Sequence, residues 1–135
     1  ITELLKRLLA DIDDGLLASV ANQARAETFD DLLDHAQSYL DENRKEGSGV
    51  LASAVFEDTV RRIGEGHDIV ENKLDMVISA LAKQDVITGI VAKGCRLAAG
   101  VRSEALHANW DGYELADVKR VIEITRELLK EHLTR

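Results

Sequence analysis

The chain has no proline, a single cysteine, and aromatic side chains at only 4% of its 135 residues. Each shortage excludes something. With few aromatic strand formers against abundant Leu, Ala, Glu, Lys and Arg, a sheet-based core is disfavoured and an all-α fold is expected. The lone Cys95 cannot form an intramolecular disulfide or a thiolate metal cluster, and within an apolar helical pattern it reads as a small core residue in a reducing compartment. No apolar run approaches the roughly 18 residues of a membrane helix, and no charged-then-apolar signal segment is visible. A soluble, cytoplasmic protein without membrane contact is the expectation. The chain opens on Ile1 rather than methionine, so its native N-terminus is expected to lie outside this stretch.

Excess positive charge is missing too. The formal net charge is -8, which argues against sequence-independent binding along nucleic acid, a property driven by clustered Lys and Arg. The distribution is uneven, however. From Val86 to Arg102 there are three cations, Lys93, Arg96 and Arg102, and no acid, so any polyanion is expected to bind locally there.

What is present is helical periodicity. Hydrophobic residues make up 45% and charged residues 31%, the balance of a single globular domain of this length. Leu5, Leu8, Leu9, Ile12 and Leu16 repeat at i, i+3, i+4, i+7 and i+11, as do Phe29, Leu32, Leu33, Ala36 and Leu40, which predicts two helices. Thr28, followed by Asp30 and Asp31, is the expected N-cap of the second. The run Asn43 to Gly49 reads as a connector. A third helix carries Ala52, Val55, Phe56, Val60 and Ile63, with Glu57 and Arg61 as an i, i+4 pair on another face. After a break over Gly64 to Asn72, a fourth carries Leu74, Val77, Ile78 and Leu81 and closes near Gln84 and Asp85. A fifth carries Ile87, Ile90, Val91, Gly94, Ala98 and Val101, ended by Asn109 and Asp111-Gly112. A sixth carries Val118, Val121, Ile122, Leu129 and Leu133. The expected architecture is an all-α single helical bundle of about six helices spanning 1–135, with N-terminal helices over 1–46 and a core over 50–133. The stripe Gly94, Ala98, Val101 and Ala105 suggests a close helix–helix contact and is the expected interface of a homodimer.

One constellation carries chemistry. Arg102 and His107 form R-x4-H at the end of the most basic helix. On an ideal helix their side chains point about 140° apart, and the breakers that follow permit local unwinding that brings them into one cleft. Imidazole exchanges a proton near neutral pH, and guanidinium grips two phosphate oxygens in parallel. The pair suits metal-free phosphodiester cleavage, in which the histidine assists attack by a 2′-hydroxyl and the arginine holds the charge that develops. Lys93, Arg96, Ser103, Asn109 and Trp110 are candidate ligand contacts beside it, Trp110 by stacking on a base. No metal site is expected: Asp31 and His35 have helical ligand spacing but no second cluster, and His67 and His132 stand apart. No cofactor motif is present.

The block "VLASAVFEDTVRRI", then "KLDMVISALAKQDVITGIVAKGCRLAAGVRSEALHANWDGYELADVKRVIE", resembles the HEPN superfamily and its uncharacterised bacterial members. Those proteins run from an alanine-rich "LE..LR" helix through "KL..M...L.K..VI" to "R-N-x-x-x-H". The resemblance covers roughly residues 50–133. It implies a dimerising helical bundle and, in active members, a metal-independent endoribonuclease of toxin or defence type. There the arginine and histidine, here Arg102 and His107, act from both protomers and a cognate antitoxin is the partner. Ser103 departs from the Asn, Asp or His that follows the arginine in active members, and Glu104 beside it opposes an approaching phosphate. Two readings follow. One is a domain that binds RNA or a nucleotide ligand and, where the Arg102–His107 site is active, cleaves RNA. The other is a non-catalytic dimerisation or interaction module in which Arg102 pairs with an acid such as Glu57 or Glu104 and His107 caps its helix.

Overall fold

The computed structural model describes residues 3–133, with side chains from Ala21 onward. It is all-helical, with five α-helices among the described residues: α1 (Glu3–Asp41), α2 (Lys45–Gly66), α3 (Leu74–Lys83), α4 (Gly89–Leu106) and α5 (Leu115–Leu128). A 3₁₀ turn, Trp110–Gly112, joins α4 to α5, and α5 runs on into a π-helical turn, Leu129–Leu133. The difference from six lies at the N-terminus, where the two expected helices are one. Thr28 is not a cap; it sits inside α1 and its hydroxyl donates to the Ala24 carbonyl at 3.0 Å. A hydroxyl satisfied by its own preceding turn does not interrupt a helix. The apolar face from Leu5 to Leu16 lies outside the residues whose side chains are described.

The connector is also shorter than its composition suggests. Only Glu42, Asn43 and Arg44 separate α1 from α2, so Gly47, Ser48 and Gly49 are helical. At Ser48 and Gly49 α2 is tightly packed, whereas a Cβ at Gly47 would only reach ordinary contact with Tyr39 at 3.5 Å. The Ser48 hydroxyl donates to the Ala36 carbonyl of α1 at 2.9 Å, and a Cβ at Gly49 would stand 2.8 Å from ring carbons of Tyr113.

Helix α2 is the centre of the bundle, in contact with α1, α3, α4 and α5. Its Ala52, Val55, Phe56, Val60 and Ile63 are all buried, as are Leu74, Val77, Ile78 and Leu81 of α3 and Val118, Val121 and Ile122 of α5. The same core takes in Phe29, Leu33, Ala36 and Leu40 from α1. Ile90 departs from its expected place and is 82% exposed. The stripe expected to face a second copy is used within the protomer: Ala98, Val101 and Ala105 are buried in the core, and a Cβ at Gly94 would meet Ile124 of α5 at 2.7 Å. Small residues on α4 therefore let α5 and α2 approach it.

Helix termination follows one pattern. Asn43, Asp68, Asp85 and Ala108 follow α1, α2, α3 and α4 with φ of 60°, 57°, 57° and 55°. At each end the next amide reaches back to a carbonyl five residues earlier: Arg44 to Tyr39, Ile69 to Gly64, Val86 to Leu81 and Asn109 to Glu104, at 2.8–2.9 Å. These are left-handed caps built without glycine. Asn and Asp tolerate that conformation; Ala108 does so at a steric cost. No described helix is long and apolar enough to cross a membrane.

Candidate functional site

Arg102 projects from the last turns of α4 toward α2, where Glu57 meets it. Arg102 Nε donates to Glu57 Oε1 at 2.8 Å and Arg102 Nη2 to Glu57 Oε2 at 3.2 Å, a two-pronged grip. Arg61, one turn along α2, donates its Nε to Glu57 Oε2 at 2.9 Å. Its Nη2 extends to the Asn72 carbonyl at 3.0 Å, fastening the loop before α3. One carboxylate thus organises two guanidinium forks, and the cluster ties α2, α4 and the α2–α3 loop together. The Arg102 and Glu57 side chains are 26% and 27% exposed. Partial burial pushes the Glu57 carboxyl upward, but the hydrogen bonds and charges of Arg102 and Arg61 outweigh it and hold the group below its ordinary value.

His107 is the residue at which α4 ends. Its ring Nδ1 lies 2.7 Å from the Ser103 carbonyl. A carbonyl only accepts, so Nδ1 carries the proton, and the exposed ring adds a second hydrogen bond to a carbonyl that already accepts the His107 backbone amide at 3.2 Å. The strained Ala108 follows immediately. The helix does unwind beside His107, but there the chain turns away into Asn109, whose side-chain amide donates to the Glu104 carboxylate. Arg102 and His107 have separate partners: one grips α2, the other its own helix end.

The remaining candidates divide in the same way. Ser103 is exposed and lines a polar cavity together with Arg102. Trp110 is half-buried against the core, its ring edge-on to Tyr113 at 6.5 Å between centroids, an anchor for the 3₁₀ turn. Lys93 and Arg96 are exposed, and nine residues of helix set Lys93 about 180° around α4 from Arg102. The basic segment therefore does not converge on one site. Among the described residues no three His, Cys, Asp or Glu side chains group as metal ligands. Cys95 is buried, which pushes its thiol up to about 11 against the opposing charge of Arg96.

Two cavities flank Arg102. One, about 250 Å³, lies between α2 and α4 and is walled by Val50, Ser53, Ala54, Ala105 and Leu106 with the Glu57–Arg102 pair at its side. Val50 and Leu106 are 49% and 68% exposed. The other, about 340 Å³, is polar and opens between α2, α4 and the start of α3. Sequence reasoning placed Glu57 among the acids for Arg102 but not Arg61, Asn72 or Lys73 around the second cavity. The i, i+4 spacing of Glu57 and Arg61 was the available signal for the first of these. No family model, curated protein or solved structure matches the chain.

Proposed function

We propose that the chain is a HEPN-like helical interaction module that works as a homodimer, with Arg102 and His107 serving the fold rather than catalysis. The observation that carries this reading is the two-pronged grip of Arg102 on Glu57, which uses the guanidinium edge that phosphate would otherwise take. Glu57 is also the acid of the "LE..LR"-like block, and it meets the arginine of R-x4-H, so two parts of the resemblance come together at one ion pair. The partner-facing surface in this proposal is the α2/α4 face at Val50 and Leu106, since the small-residue stripe is spent inside the protomer. Light scattering at micromolar concentration tests it. The wild type is expected at twice 14.9 kDa, and Leu106→Glu at the monomer mass with its thermal midpoint within a few degrees. A wild-type monomer throughout would overturn the dimer.

A second reading, a metal-independent endoribonuclease acting on RNA in a toxin or defence setting, is favoured by one observation. His107 is exposed and donates through Nδ1, leaving Nε2 of the neutral ring available to take a proton. Under this reading single-stranded RNA is cleaved in the presence of chelator, leaves a cyclic phosphate, and is cleaved about 10²-fold more slowly by His107→Ala. No cleavage by the wild type would leave the interaction module as the function.

A further inference from the structure

We propose that the polar cavity between α2, α3 and α4 is a binding site for a phosphate group, in the form of a free phosphate or a phosphomonoester. Arg61, Lys73 and Arg102 line it from three different segments, with Ser103 and Asn72 beside them. It is distinct from the apolar cavity on the other side of Arg102, and His107 does not line it. The proposal concerns binding alone, and it stands beside either reading of the preceding section.

The chemistry follows from the donors. Both guanidiniums are already held in place by Glu57, so presenting their remaining edges costs little new side-chain ordering. Among the described residues Nη1 of Arg61 and Nη1 of Arg102 make no hydrogen bond. Lys73 adds an exposed ammonium. The Ser103 hydroxyl and the first-turn amide of Leu74, at the start of α3, add neutral donors. These groups are spread around a cavity rather than along a line, which suits a tetrahedral anion with four acceptor oxygens better than a planar carboxylate with two. The three lining cations exceed the one lining acid, Asp75, and the Glu57 carboxylate that holds two of them, in a chain whose net charge is -8. Asp75 lines the same cavity without a basic partner among the described residues, and it opposes the ligand.

That opposition makes the test two-sided. Inorganic phosphate is titrated into the ¹⁵N-labelled full chain at constant ionic strength, with chloride as the control, and amide shifts are followed. The amides of Leu74, Asp75 and Ser103 are expected to move together with one dissociation constant. Lys73→Gln should weaken that constant about tenfold, by loss of a charge-assisted hydrogen bond, and Asp75→Asn should tighten it several-fold. Both residues are exposed, so both variants keep the fold. Adenosine 5′-monophosphate binding more tightly than phosphate, with adenosine itself inert, would identify the phosphomonoester as the natural form; equal binding would identify free phosphate. No localised shifts with phosphate, or variants that bind as the wild type does, would overturn the proposal.

Discussion

Removing either partner of the Glu57–Arg102 pair should have unequal effects, because Glu57 has two partners and Arg102 one. In Arg102→Ala the carboxylate keeps the hydrogen bond from Arg61 Nε at 2.9 Å, so it is not left bare. The expected loss is about 1.5 kcal/mol, the low end for a charged hydrogen bond in a pair that is a quarter exposed. Glu57→Ala instead leaves two guanidiniums facing each other without their shared acid, and about 3 kcal/mol is expected. The double variant should be less destabilised than the sum by about 1 kcal/mol, the coupling expected of residues in direct contact. Urea unfolding of the four proteins measures this. The acid limb gives a second readout. The Glu57 carboxyl titrates below its ordinary value of 4.5 in the folded chain, so between the two values the unfolded chain binds the extra proton and stability rises with pH. The contribution is complete above the ordinary value and is lost as pH falls through the folded one. Glu57→Gln should flatten that part of the profile. Single-variant effects that add to within about 0.3 kcal/mol would refute the hub.

Ala108→Gly should raise stability by about 1 kcal/mol, since φ of 55° costs alanine but not glycine; an unchanged urea midpoint would remove the strain argument. Ser53 is 3% exposed and its hydroxyl has no partner among the described residues, so Ser53→Ala should also stabilise, by about 1 kcal/mol. Thr59 and Thr125, whose hydroxyls donate to Val55 and Val121 at 2.7 Å, provide the contrast: their alanine variants should lose stability. Cys95, buried with its thiol raised to about 11, should react with a thiol reagent at pH 8 only as fast as the chain unfolds; immediate labelling of the native protein would contradict its burial.

The apolar faces of α2, α3 and α5 were legible in the sequence because each is a full stripe at helical spacing, buried by several neighbours at once. The element ends were less so. Asp85 closes α3 near the expected place, since a residue that tolerates positive φ is visible as a letter. Thr28 and the glycines at 47 and 49 misled for a shared reason: a hydroxyl or a missing side chain reads as a break when considered locally. Thr28 is satisfied within its own helix by the Ala24 carbonyl one turn back, and Gly49 answers to Tyr113 across the bundle. Arg102 and His107 were legible as residue types, and Glu57 was one of two acids open to the arginine, but the choice between Glu57 and Glu104 was not legible. A spacing of five specifies an angle on an ideal helix, whereas the outcome depends on Glu57, 45 positions earlier, and on a carbonyl four residues back.

The placement of Glu57 also explains why the R-x4-H segment can sit at a helix end in an acidic chain. A lone arginine at the close of α4 would need only the terminal carbonyls, which His107 and the Asn109 amide already use. Arg102 is therefore free to turn toward α2, and the carboxylate there binds it in preference to solvent because Arg61 has already oriented the acid. The arrangement locks α4 to α2 at the point where α4 unwinds, so the strain at Ala108 is carried by a clamped helix rather than a fraying one. It follows that loosening the clamp should release the end of α4 first. In Glu57→Ala, hydrogen exchange should accelerate at the Leu106 to Asn109 amides before it does in α5, whose capping contact, the Glu114 amide on the Asp117 carboxylate at 2.9 Å, does not involve the cluster. Uniform acceleration across both helices would mean that the pair supports the bundle as a whole and not this terminus.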